Sequence, residues 1–266
     1  MRQAPTFAAL IVAGIGVPAL AQGHQVIAAG DIEWGMLNPA RGDASPKAAD
    51  LWGDRTKEVA TGMLVAFPKG FSSPPHIHNI SYRGVVIEGM MHNDDPDAAP
   101  MWLPAGSFWT QPAGENHITA ANGEKNMIYL EIDSGPYLVQ PGSDAFDNGE
   151  RPINVDHRNL VWLSADDARW VEGNSAQLAY LWGNPQGKTG TFIKLPAGFD
   201  GVIESDSPLK AVVIKGNARY QWNEERASTQ LTPSSFFRSD ASGQHRLSTD
   251  SEVLLYLHSE GPYRVK

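Results

Sequence analysis

The strongest constraint on this chain is that it repeats itself. Leu51-Trp52-Gly53-Asp54 returns as Leu181-Trp182-Gly183-Asn184, and Phe67-Pro68-Lys69-Gly70-Phe71 returns as Leu195-Pro196-Ala197-Gly198-Phe199. The segment from Arg83 to Gly89 returns between Lys210 and Gly216, Gly106-Ser107-Phe108-Trp109 as Ser234-Ser235-Phe236-Phe237, and Gly135-Pro136-Tyr137 as Gly261-Pro262-Tyr263. The offset stays between 126 and 130, so five matches fall in order at nearly one spacing. Such periodicity implies one folding unit used twice. Two units of ~120 residues are ordinary domain sizes. The boundary is expected in the polar stretch 142–159, giving a first unit over 22–150 and a second over 151–266.

Each unit reads as strand. Thr61–Phe67, Val85–Glu88 and Met127–Ile132 are short runs of apolar and β-branched residues bounded by Gly, Pro or Asn. No stretch sustains an i, i+3, i+4, i+7 apolar stripe over three turns, so helices are not expected. At 41% hydrophobic and 19% charged, the chain reads as folded rather than disordered. Residues 1–21 stand apart. Arg2, the apolar run from Phe7 to Leu20 and the small residues of Ala19-Leu20-Ala21 have the form of a cleaved secretory signal. With no twin-Arg pair, a Sec-type route and a periplasmic or secreted mature protein are expected. The chain has no Cys, which excludes disulfides, thiolate ligands and a lipidated Cys. A net charge of −9 argues against nucleic acid or anionic membranes as partners.

The chemistry is concentrated in Gly70-x5-His76-x-His78 and Gly106-x5-Pro112-x-Gly114-x2-His117. In a strand, alternate side chains share a face, so His76 and His78 point the same way with Cα atoms ~7 Å apart. A third imidazole from a neighbouring strand, His117, completes a three-nitrogen set that leaves coordination positions open. The alternative is a fold motif whose histidines are merely hydrogen-bonded.

These two stretches resemble the paired motifs of the cupin superfamily, G-x5-H-x-H-x3,4-E-x6-G and G-x5-P-x-G-x2-H-x3-N. The Gly-Ser-Phe-Trp and Gln-Pro-Ala-Gly wording is similar to that of two-barrel bacterial cupins related to the ChrR-like group. The resemblance implies an all-β chain of two tandem cupin barrels, that is, double-stranded β-helix or jelly-roll units. It also implies a divalent ion, Zn, Mn or Fe, on His76, His78 and His117. Two positions depart from the pattern. The usual Glu ligand falls at Tyr82 or Arg83, and the final Asn at Ala121. The implied ligand set is therefore three histidines without a carboxylate, as in some cupin dioxygenases.

Tyr82 shares strand parity with the histidines and is the candidate catalytic side chain. Arg83 is expected to face away, in a structural salt bridge like that of its counterpart Lys210. Glu88 lies ~20 Å along the strand, too far to reach the same ion. His92 follows Gly89 at a turn and is expected at the surface. Trp102 and Trp109 read as core, with Trp109 or Gln111 reaching the pocket. In the second unit Glu204, Asp206 and His245 stand where His76, His78 and His117 were. That set reads either as a hard-ion site or as a decayed one, its acids neutralised by Lys210 or an arginine; decay is the favoured reading. The functional classes that follow are a metal-dependent enzyme (dioxygenase-, lyase- or isomerase-like) on a small organic carboxylate or diketone, and a non-catalytic small-molecule binding or sensor module. The expected partner is a small-molecule ligand or substrate, with a homodimer left open.

Overall fold

The computed structural model of the chain describes residues 23–173, 176–184 and 186–266; the segment 1–21 lies outside them. Regular structure among the described residues is strand, with four short 3-10 turns. Among those residues no helix is long and apolar enough to cross a membrane. The runs expected from sequence are present as Thr61–Phe67, Tyr82–Glu88 and Asn126–Ile132.

These three strands form the middle of a seven-stranded antiparallel sheet. Its order is Ile153–Val155, Phe108–Gln111, Tyr82–Glu88, Asn126–Ile132, Thr61–Phe67, Lys47–Trp52 and Gly35–Met36. A six-stranded sheet follows the same plan: His24–Ile27, Phe236–Ser239, Leu209–Lys215, Val253–Ser259, Thr189–Leu195 and Gln177–Gly183. Each is accompanied by smaller sheets. On the first side these are a three-stranded sheet around Met90–Asp94 and the pair of His76–His78 with Val139–Pro141; on the second side it is a five-stranded sheet. The architecture is multi-sheet and jelly-roll-like. Two flanking strands cross over. His24–Ile27 pairs with Phe236–Ser239, and Ile153–Val155 pairs with Phe108–Gln111.

The period-two alternation of strands explains why the central runs are apolar without a break. On one face Met63, Val65, Tyr82, Val86, Trp109, Ile128 and Leu130 pack into one apolar cluster. On the other, Leu64, Val85, Ile87, Phe108 and Tyr129 meet Phe192, Val212, Ile214, Phe236 and Tyr256 of the six-stranded sheet. That seam takes seven buried side chains from each sheet, each worth roughly 1.5–3 kcal/mol if large and fully buried. Gly84 lies under the Trp109 ring, where a Cβ would stand 2.2 Å from the indole. Only a residue without a side chain lets Trp109 lie flat on that strand.

A charged group sits inside the seam. Glu131 is 1% exposed, and burying a carboxylate requires partners. Arg83 Nη2 and the Tyr129 hydroxyl donate to it at 3.0 Å each. From the facing sheet, Tyr256 OH donates at 3.5 Å, and His258 Nδ1 touches it at 3.0 Å without hydrogen-bond alignment. Arg83 also pairs with Asp133 and lies over the Trp182 ring at 4.1 Å. Lys210 mirrors this, lying over Trp52 at 4.6 Å and facing Glu260.

Burial alone would push the Glu131 carboxyl up, but His258, Arg83 and Tyr129 together bring it down to about 2. A carboxylate depressed on folding stabilises fully above its unfolded pKa, near 4.5, and loses that contribution as pH falls toward 2. Glu131→Gln is expected to be less stable at pH 7 by on the order of 3 kcal/mol. The gap should close between pH 4.5 and 2 in urea titrations; a gap independent of pH would assign the loss to packing instead.

Candidate metal centre

His76–His78 is a three-residue strand held between two neighbours. On one side His76 and His117 exchange both backbone hydrogen bonds at 3.0 Å, so the two imidazoles leave directly opposed positions. On the other side Val139 pairs with His78 and Pro141 with His76. Gly114 turns the chain into His117 at φ +77; its N–H donates to His78 O at 2.8 Å, and a Cβ there would collide with Phe146.

The ligating nitrogens of the three histidines all lie within 4.8 Å of one another, and all three residues are buried. Ring centroids are 4.3–5.3 Å apart. The Nδ1 of His76 lies 3.0 Å from Pro74 O, that of His78 2.8 Å from Leu138 O, and that of His117 3.0 Å from Glu115 O. A carbonyl can only accept, so each Nδ1 carries the proton and each Nε2 presents a lone pair. Orienting contacts of this kind accompany metal-binding imidazoles. Burial, reinforced by the neighbouring imidazoles, lowers the pKa of His78 well below the ordinary value and that of His117 to about 3. His76 is lowered by burial and by the charge of Arg41, against the Pro74 carbonyl. Three neutral donors face one point, and His117 Nε2 is buried with no partner among the described residues. The residues fit a divalent ion, and no carboxylate joins them.

Tyr82, expected on the same strand as the histidines, begins the next one but faces the same cavity, its ring 5.2 Å from His78. Its hydroxyl donates to Asn93 Oδ1 at 2.9 Å. Asn93 in turn accepts from Thr119 and donates to Gln111. Burial pushes the Tyr82 pKa up, so the phenol stays neutral.

Sequence reasoning missed Tyr137. Its ring stacks on His78 at 4.4 Å, and its hydroxyl donates to His78 Nε2 at 3.1 Å. The repeated Gly-Pro-Tyr segment was the available signal. Asn93 and Arg41 gave none. A cavity of about 110 Å3 opens beside His76 and His78, walled by Val65, Phe67, Phe71, Trp109, Ile128 and Leu130.

Other expectations are corrected. His92 is not at the surface; it is 2% exposed, packed near Trp102, and its Nδ1 accepts from Met101 N at 3.3 Å. The turn expected after Gly89 is instead the start of the strand Met90–Asp94, whose central residues are covered. Glu88 is exposed. Glu204 is held by Lys266 rather than Lys210, together with Gln244. Asp206 is exposed, and His245 is buried between Tyr220 OH at 2.9 Å and Ser239 Oγ at 3.1 Å. These three side chains therefore do not form a second set; among the described residues only His76, His78 and His117 converge in this way.

Fold and site together define a cupin-fold protein with a candidate histidine metal centre. Residues 25–266 match the family described as "Domain of unknown function (DUF4437)", and the chain belongs to that family. No curated protein matches it by sequence. Solved structures of similar fold include a candidate dioxygenase from Nostoc punctiforme, 18% identical with a TM-score of 0.68, over 93% of this chain and 84% of that one. The Ylba protein of E. coli is 10% identical at a TM-score of 0.62, covering 93% and 94%. An oxalate decarboxylase from Lactobacillus farciminis, in complex with formate, is 10% identical at 0.59, covering 94% and 89%. At such identities the likeness is one of fold.

His76→Ala and His117→Ala are expected to abolish stoichiometric divalent metal, and Glu204→Ala to leave it at one equivalent. Elemental analysis of untagged protein checks this; loss of metal in the Glu204 variant would mean that the second unit also binds.

Proposed function

We propose that this chain is an exported two-barrel cupin that uses one divalent ion, held by His76, His78 and His117, as a metal-dependent enzyme on a small organic carboxylate or diketone. The observation that carries the reading is the convergence of three imidazoles, each with its Nδ1 on a backbone carbonyl, beside an apolar cavity that His76 and His78 line. When bound, Zn, Mn or Fe on three neutral imidazoles supplies a dipositive Lewis-acid centre with open positions.

The chain's own groups do the rest. Apolar walls exclude water and strengthen polar contacts inside the cavity. Tyr82 serves as a neutral phenol whose ring bounds the substrate and whose hydroxyl is fixed by Asn93. Tyr137 supplies a mobile proton donor, today on His78 Nε2, that can turn to a substrate oxygen. Tyr82→Phe is expected to lower turnover about tenfold or more while metal content is unchanged. The test is calorimetry and turnover of the apo, Zn, Mn and Fe(II) forms with acetate, oxalate, acetylacetone and aromatic acids. The same Tyr137 contact favours a second reading, a non-catalytic binding or sensor module. If no loaded form binds an anion and Tyr137 closes the coordination sphere, the enzyme reading fails.

The two-barrel reading, with units 22–150 and 151–266, is supported by the sequence repeat and by the recurring strand order. In this reading the second unit carries no ion and covers the first. Export rests on residues 1–21. N-terminal sequencing of the periplasmic form should begin at or near Gln22; an intact Met1 there would overturn it.

A further inference from the structure

The cavity beside the histidine centre, whose walls include His76 and His78, carries one charged side chain besides those imidazoles, and it is a cation. Arg41 stands among mostly apolar lining residues, and no Asp, Glu or Lys lines the cavity with it. Among the described residues it makes no ion pair. In a chain of net charge −9, an unpaired guanidinium at the mouth of an acid-free cavity is a local reversal of the overall field. Its charge is felt at His76.

The backbone that carries it is also held in place. It lies in the short 3-10 turn Pro39–Ala44, whose start is capped by Asn38 Oδ1 accepting from Ala40 N. Residues 37–46 close on themselves: Leu37 N donates to Pro46 O at 2.8 Å, and Asn38 N to Ser45 Oγ at 2.9 Å. Leu37, Asn38 and Pro46 from the same strap line the cavity. The strap therefore fixes the backbone that carries Arg41, an exposed cationic fork beside an apolar chamber.

We propose that this strap sets the specificity of the site, and that the site takes a small monocarboxylate with an apolar body. The carboxylate pairs with Arg41, and the body lies against Phe67, Phe71 and Ile128 with its far end toward the histidines. A guanidinium matches a carboxylate with two parallel N–H bonds. One cation compensates one negative charge, so a dianionic phosphonate would be left undercompensated. A cavity of about 110 Å3, open at the Arg41 side and smaller than the ~150 Å3 enclosed cavity that holds benzene, limits the apolar body to one small ring or short chain. The inference rests on the proposed function for the reacting end of the ligand, but the Arg41 contact does not require the ion.

The test is calorimetry of benzoate, benzamide and phenylphosphonate on the apo and zinc-loaded full chain, for wild type, Arg41→Gln and Arg41→Lys, with zinc content measured in parallel. Wild type should bind benzoate at least tenfold more tightly than benzamide or phenylphosphonate. Arg41→Gln should weaken benzoate at least tenfold, leave benzamide unchanged and keep one equivalent of zinc; Arg41→Lys should fall between. Equal benzoate affinity in wild type and Arg41→Gln overturns the proposal, as does benzamide or phenylphosphonate binding as tightly as benzoate. If zinc fails to bind but benzoate still depends on Arg41, the metal-enzyme reading falls and this one stands.

Discussion

The structure depends on a sheet that has no face left for water. In Tyr82–Glu88, Asn126–Ile132 and Thr61–Phe67, one set of alternating side chains walls the histidine cavity and the other builds the seam with the facing sheet. A one-residue slip in any of these strands would exchange the two sets. It would put Glu131 into the apolar cavity and Leu130 among the charges. The Glu131 cluster therefore fixes register as well as contributing energy, because only one alignment gives that carboxylate its donors. Removing one partner from such a cluster costs more than the cluster contributes, since it leaves a buried charge uncompensated.

The metal centre is an outgrowth of the same sheet architecture. His76 and His117 oppose each other because their strands exchange paired backbone bonds, and His78 is aimed by a carbonyl from residue 138, sixty positions away. Backbone carbonyls behind all three imidazoles set their tautomer, and two side chains, Ser73 at His76 and Tyr137 at His78, meet them as well. A connected set of polar side chains, Tyr82, Asn93, Thr119 and Gln111, lies one layer out.

Strands were legible in the sequence where apolar residues run without a break, and Thr61–Phe67 was read to the residue. The histidines were legible because two share a strand and the third follows a recognisable turn. What could not be read depends on contacts between distant segments. His92 reads as polar and near a turn, yet it sits in a strand paired with Ile118–Ala121, beside the Trp102 ring, and is buried. Tyr137 reaches His78 across 59 residues, and His258 meets Glu131 across the seam between sheets. Glu204, Asp206 and His245 match the three histidines in sequence position but do not converge among the described residues. Lys266, near the chain's end, took Glu204, and nothing in the local pattern around Glu204 announces that.

The crossing of the two flanking strands has a consequence for how the chain can be divided. His24–Ile27 lies along the six-stranded sheet although the rest of its neighbourhood belongs to the other, and Ile153–Val155 does the reverse. Each half thus wears a selvedge woven from the other's thread. A fragment cut near residue 150 would keep the cluster around the cavity but bare both its side of the apolar seam and the Phe108–Gln111 border, and its complement would bare the facing side and Phe236–Ser239. Bare borders of that kind recruit strands from other molecules. Severed halves would accordingly stick to one another or to themselves, and intact chains crowded during synthesis could trade these border strands between neighbours.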